Sequence, residues 1–505
     1  MGGREPSGAA SPAGKVHHMA TKQPRLLALL VLALTLLAAC NGPATTPNAG
    51  VAITSPADGA TITGDRSITV TAVLTNATAD ATVTAQVNGV DATATRAGAT
   101  VTFPATLQDN ANTLSVSVQN PGQAAPATTT VEVVYPFLSF TDGQPASFAI
   151  GQPDLVSAAE TADDKFLGEP YGRVLIVNGV LYVPDDGAAR VMGYSEVPTA
   201  SNASADFVLG KANFTDTTST VSASTMLGPG TLDTDGERLF VADYWNSRVL
   251  IYDTAPTASG APASLAIGQP ALETDAPACS ATGLHYPESV TYAAGRLIVA
   301  DSENNRVLIW NTVPEEDGVA ADIVLGQASF TTCAANDDDQ DGTSDAAPSA
   351  RVMYYPSDVW SDGEKLIVAD SNNNRVLIWN EFPTTDFAVA EAVLGQTDFN
   401  SSLAGVGATG LAYPYYVHSN GNQLFLSDND NNRVLVWDSL PSSSTEPADR
   451  VLGQVDFDSN LLNAGAASVN ATGLNGPAGV FVHGEQLFVV DTGNDRVLVF
   501  DAGTP

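Results

Sequence analysis

An acidic run holds the residues whose types and spacing most plainly suit chemistry. Within NDDDQDGTSD, residues 336–345, the carboxylates of Asp337, Asp339, Asp341 and Asp345 recur at short intervals, Gly342 permits a sharp turn, and Thr343 would offer its backbone carbonyl. Carboxylates spaced in this way converge on a hard cation, calcium above all, which takes several oxygen ligands. The twelfth position counted from Asp337 is Pro348 and not a bidentate Glu, so a solvated acidic insertion is the competing reading. A calcium site here would be weak, with a Kd on the order of millimolar, and would order the loop. A second and more scattered set comprises Arg173, His285, Glu288, Asp358, Tyr415 and Tyr416. Its meaning depends on the elements that carry it.

Those elements repeat. LIVADSNNNRVLIW, residues 366–379, returns from Leu239, Leu297, Leu424 and Leu487, with a weaker first copy from Leu181. Each copy is an apolar run, a turn of the form Asp-x-x-Asn-x-Arg, and a second apolar run. Runs apolar at successive positions belong to strands covered on both faces. The turn residues bond their own backbone and tolerate left-handed geometry. The turn aspartates Asp185, Asp243, Asp301, Asp370, Asp428 and Asp491 are spaced by 58, 58, 69, 58 and 63 residues. A second phrase keeps the same period: FAIGQ at 148, FVLGK at 207, LAIGQ at 265, IVLGQ at 323, AVLGQ at 392 and RVLGQ at 450. Repeats of this length with several short strands predict β-propeller blades.

Four strands per blade are expected. Strand a follows a Tyr-Pro or Gly-Pro, the hairpin supplies b and c, and the Gly-Gln phrase supplies d. The chain ends after strand c of the sixth copy, so the phrase at about 148–152 is expected to pair with that last blade and close the ring. Groups that recur in five or six blades, such as Asp370, Asn373 and Arg375 and their equivalents, read as scaffold. Groups that break the repeat are better site candidates. The 69-residue interval contains the acidic run. The start of strand a varies as well, with Arg173, Thr231, Ser289, Asp358, Tyr416 and Gly479 at one level, Glu288 and Tyr415 one residue earlier, and His285 just before Tyr286-Pro287. These should line the mouth of the central channel, where a small ligand would bind, unless they merely form a wet channel mouth.

The Asp-x-x-Asn-x-Arg turn between strands b and c resembles that of NHL-repeat propellers, and the VLGQ phrase is similar to that of bacterial NHL-type proteins. The resemblance covers about residues 136–505 and departs from the pattern at Ala188, where the first turn lacks its asparagine. It implies a six-bladed propeller that most often binds proteins or other ligands. Amidating lyases of this fold hold zinc with three channel histidines, but after the N-terminal segment this chain has only His285, His418 and His483, and His483 falls at the opposite end of its strand. Lactonase-like members use a channel calcium held by Glu, Asn and Asp, to which Glu288 and Asp358 could contribute. The acidic run, for its part, resembles calcium loops of the EF-hand, dockerin and thrombospondin types.

The sequence carries 20 Lys+Arg against 56 Asp+Glu, a formal net charge of −36. Removing residues 1–39 leaves 16 basic against 55 acidic residues. Such a surface repels phosphate backbones, so nucleic acid is not an expected partner. Lys22 and Arg25 precede the apolar run from Leu26, which is too short for a comfortable membrane span and ends in Leu37-Ala38-Ala39-Cys40. This resembles a bacterial lipoprotein signal with its start at Met19, and implies lipid attachment at Cys40. Asn41, where Asp would signal inner-membrane retention, then implies the outer membrane of a bacterial cell envelope. Residues 40–50 read as a tether. Residues 51–135 carry alternating strands such as Ile68, Val70, Ala72 and Leu74, which predict a β-sandwich of five to seven strands that resembles bacterial Ig-like domains. Cys279 and Cys333 follow Gly-Gln phrases on consecutive blades, and either form a disulfide, favoured by export, or remain buried thiols. The expectation is an all-β, monomeric envelope protein whose propeller binds protein or glycan, with a calcium-dependent hydrolase or lyase as the alternative.

Overall fold

A computed structural model describes residues 47–62, 67–159 and 163–503 of the chain. Cys40, the export segment and the start of the tether lie outside these residues. Among the described residues, no helix is long and apolar enough to cross a membrane.

The repeat forms the hairpin its pattern predicts. Leu366–Asp370 pairs antiparallel with Arg375–Trp379, from Leu366↔Trp379 to Asp370↔Arg375, and every residue of both strands is buried. One turn of 3-10 helix, Ser371–Asn373, joins them, and Asn374 closes it in the left-handed region at φ 51°. Asparagine tolerates that conformation better than other L-residues because its short amide bonds locally.

An inner strand, Pro356–Ser361, and an outer one, Ala392–Leu394, complete a four-stranded antiparallel sheet. Among the described residues six such sheets recur, as expected of propeller blades. The sheet that contains Pro477–His483, Gln486–Asp491 and Arg496–Asp501 takes its fourth strand from Phe148–Ile150, in the register Phe148↔Val499 and Ile150↔Val497. Neighbouring sheets share apolar cores: Phe240, Val249 and Ile251 of one pack with Val299, Leu308 and Trp310 of the next. Burial on both faces explains why the strands are continuously apolar.

Ahead of the blades, a four-stranded and a five-stranded sheet enclose one core, in which Val70, Ala72, Leu74, Val101 and Phe103 meet Leu114, Val116, Val118 and Val133. This is a sandwich arrangement with nine strands among the described residues, more than the alternation suggested. Three of them, Ala60–Thr61, Val90–Ala92 and Thr95–Ala97, are too short to show an alternating pattern. A polar clamp joins the segment just after the sandwich to the turn after Pro414–Ser419. Asn422 Nδ2 donates to the Pro136 carbonyl (2.8 Å), and the Gln423 amide both donates to the Leu138 carbonyl (2.9 Å) and accepts its N–H (2.6 Å).

Candidate functional site

The recurring polar residues act as cross-braces. Asp301 Oδ2 accepts from Arg306 Nε (2.7 Å) and Asn304 Nδ2 (2.8 Å), while its Oδ1 accepts the His285 N–H ahead of strand a (2.6 Å). The Arg306 guanidinium then reaches the carbonyls of Phe330, Ser280 and Gly283. Each blade therefore ties its b–c turn to the loops on either side. The phrase glutamine adds a further tie: Gln269 Nε2 donates to the Ser247 and Ala276 carbonyls at 3.0 and 2.9 Å. Blade one lacks the asparagine, yet Arg190 Nε still lies 2.7 Å from Asp185 Oδ2.

The inner strands hold the irregular residues. Leu175 pairs with Tyr182, three residues before Asp185, as Thr291 pairs with Ile298, three before Asp301. Counting back two residues sets Arg173 level with Ser289, because blade one has one extra residue between its proline and that level. Arg173 is 3% exposed, and its two terminal nitrogens stand 3.8 Å from Asp233 Oδ2 and 3.8 Å from Asp358 Oδ2. Those distances are ionic contacts, too long for hydrogen bonds. The Asp358 carboxylate is committed to Ser289 Oγ (2.5 Å) and the Val417 N–H (2.9 Å). His418 is half-buried as a residue, and desolvation of its ring together with the Arg173 charge pushes the imidazole well below the usual range, which favours its neutral form.

Glu288 is the focus of a second cluster. It is 1% exposed; its Oε1 accepts from the hydroxyls of Tyr355 (2.6 Å) and Tyr415 (3.0 Å), and its Oε2 from that of Tyr416 (3.3 Å). Tyr355 and Tyr244 share a hydroxyl contact of 2.9 Å. Burial pushes the Glu288 carboxyl up to about 8, helped by the charges of Asp186 and Asp358 and opposed by the tyrosine hydrogen bonds. Near neutral pH it is therefore largely a neutral acid.

Of the six sequence candidates, Glu288, Tyr415 and Tyr416 come together, and Arg173 and Asp358 form an adjacent ionic group. His285 stands apart from both, with its ring 4.6 Å from that of Tyr286.

A cavity of about 220 Å³ opens over Glu288, lined also by Tyr171, Asp186, Gly228, Tyr244, Trp245 and Tyr355. Of these residues the sequence candidates include only Glu288, although the repeat contains the signal. After the turn aspartate, blade two has Tyr244-Trp245 where the others have Asp186-Gly187, Ser302-Glu303, Ser371-Asn372, Asn429-Asp430 or Thr492-Gly493. The room for them comes from Gly228. It has φ +74° at the position held by Tyr286, Tyr355 and Tyr413 in blades three to five, and a Cβ there would lie 2.3 Å from Trp245 Cδ1 and 2.8 Å from Asp186 Oδ1. Trp245 remains 49% exposed at the rim.

In the acidic loop, carboxylate oxygens of Asp337, Asp339 and Asp345 lie within 4.8 Å of one another. Among the described residues, this is the one group of three or more His, Cys, Asp or Glu side chains so placed. Asp337 also accepts the N–H groups of Asp341 and Gly342, both at 3.0 Å. The Asp341 carboxylate turns instead to the N–H and hydroxyl of Thr343 (2.8 and 2.6 Å). Three convergent carboxylates suit an oxygen-seeking divalent cation. Cys279 and Cys333 form a disulfide, with Cα atoms 6.4 Å apart.

The NHL repeat family matches residues 284–310, one inner strand and hairpin of the propeller. No protein of curated function matches the sequence. Among solved structures, the chain is similar to a provisionally named phosphatase from Bacteroides thetaiotaomicron (11% identity, TM-score 0.39, covering 90% of this chain and 98% of the other). It is also similar to a provisionally named 6-phosphogluconolactonase from Bacteroides fragilis (11%, 0.37, 77% and 86%). A third is the PQQ-bound form of aldose sugar dehydrogenase from Streptomyces coelicolor (12%, 0.37, 71% and 100%). Likeness at this level carries no argument about activity.

Proposed function

We propose that this chain is a lipid-anchored, non-catalytic binding protein of the bacterial cell envelope. In this reading Cys40 carries the lipid, probing outward from the outer membrane, and the sandwich is an Ig-like spacer. The six blades close into a ring through the Phe148–Ile150 strand, and a monomer presents the channel mouth to a protein or glycan. The observation that carries the reading is the cavity itself: an exposed tryptophan and three tyrosines surround a carboxyl whose oxygens are already bonded by protein hydroxyls. Aromatic side chains give large contact area with a polar edge, the usual chemistry of recognition.

The lactonase-like alternative draws less support. Asp358 is committed to Ser289, Val417 and Arg173, and Glu288 to three tyrosines. The three convergent carboxylates lie in the acidic loop. We assign calcium there a structural role.

The test is capture of envelope components on the soluble ectodomain, with and without chelator, beside the Trp245→Ala variant. A specific partner retained by the parent and lost by the variant supports the proposal. Turnover of a lactone or ester that vanishes in Glu288→Gln would overturn it.

A further inference from the structure

We infer that the cavity between Tyr171, Tyr244, Trp245 and Tyr355, over Glu288 and Asp186, is a receptor for an organic ammonium group. The inference rests on the binding-protein reading and narrows its ligand to a cationic head. Three features of the cavity lead to it.

The first is the wall. Tyr244 and Trp245 meet at 87° with ring centroids 4.8 Å apart, so they form a corner and not a flat stacking surface. Ring faces carry negative quadrupole density, and a cation enclosed by several of them is held more strongly than one on an open surface. The second is the charge. The lining holds two carboxyl groups, Glu288 and Asp186, and no Lys, Arg or His, and the charges that act most on Glu288 are those of Asp186 and Asp358. Above about pH 8, where both carboxyls are ionised, a neutral guest would leave that field unanswered. The third is size. A cavity of about 220 Å³ exceeds the roughly 150 Å³ that admits a benzene-sized guest, so a trimethylammonium head fits. The sequence also points this way: Gly476 repeats the glycine in the last blade, but only blade two joins it to an aromatic pair after the turn aspartate.

A pH dependence follows. Glu288 is faced by the hydroxyls of Tyr355, Tyr415 and Tyr416 and by the charges of Asp186 and Asp358. Asp186 is pushed up to about 6 by burial and by Glu169 and Asp185. A bound cation favours the ionised form of both carboxyls and so releases protons. Affinity should then rise from pH 6 to pH 9, as the free site loses those protons unaided.

The experiment is titration of the ectodomain with choline, followed by tryptophan fluorescence and calorimetry, against 3,3-dimethylbutanol, its uncharged isostere. Choline should saturate the site and bind about tenfold or more tightly than the isostere. Glu288→Gln should weaken choline and flatten the pH profile, and Trp245→Ala should abolish binding with the melting temperature unchanged. Glycerophosphocholine serves as a further arm: binding equal to choline assigns the head of a larger ligand, and weaker binding assigns a free ammonium compound. Equal affinity for choline and its isostere, or no choline binding at millimolar concentration, overturns the inference. If envelope capture depends on Trp245 but choline neither binds nor competes, the binding-protein reading stands and the cationic ligand falls. If choline binds and no envelope partner is captured, the reverse holds.

Discussion

Replacing Arg375 with alanine should destabilise the protein by about 3–5 kcal/mol, the cost of leaving one member of a buried ion pair alone. Arg375 is fully buried, with Nε 2.7 Å from Asp370 Oδ2. Its other nitrogens reach the carbonyls of Phe399 (2.5 Å), Ser349 (3.0 Å) and Val352 (2.9 Å). Truncation leaves Asp370 with only the Asn373 amide and the Tyr354 N–H, and removes one partner from each of three carbonyls. The pH dependence tests the same mechanism. Burial already raises the Asp370 carboxyl above its usual range, and Arg375 pulls it down. Without that pull it rises further, so the folded variant takes up a proton at a pH where the unfolded chain has lost it. The deficit should therefore be largest near pH 7–8 and shrink as pH falls toward the ordinary carboxylate range. Urea unfolding of the ectodomain at several pH values measures both quantities. A loss under about 1 kcal/mol at pH 7, or a deficit that grows as pH falls, would refute the cross-brace account.

Calcium at a few millimolar should raise the melting temperature of the ectodomain, and Asp339→Ala should remove the increment; at ten times Kd the stabilisation is about 1.4 kcal/mol. Reducing the Cys279–Cys333 bridge, which spans 54 residues, should cost about 4 kcal/mol on loop-entropy grounds, read as a shift in the urea midpoint. Glu288 has its folded pKa raised to about 8 from 4.5, so its contribution is fully present below about 4.5 and is lost as pH rises through 8. Relative to Glu288→Gln, the parent should lose stability across that window and level off above it, as denaturation at stepped pH would reveal.

Much of the blade could be read from the chain because the information is local and repeated. An apolar run, a turn of Asp, Asn and Arg, and a second run specify a hairpin buried on both faces, and a fixed period places one beside the next. The buried Arg306–Asp301 brace and its counterparts follow from the same repetition. The channel mouth could not be read in this way. Glu288, Tyr355, Tyr415 and Tyr416 belong to three different blades, and Tyr171, Asp186 and Trp245 to two more, so their meeting depends on the curvature of the whole array. Glu288 shows the consequence: in the chain it is one carboxylate among many, and burial beside two other acids is what makes it a neutral group near pH 7. Periodicity determines which residues build the scaffold. Only the packing of blade against blade decides which exceptions share a cavity, because electrostatics and burial act through space and not along the sequence.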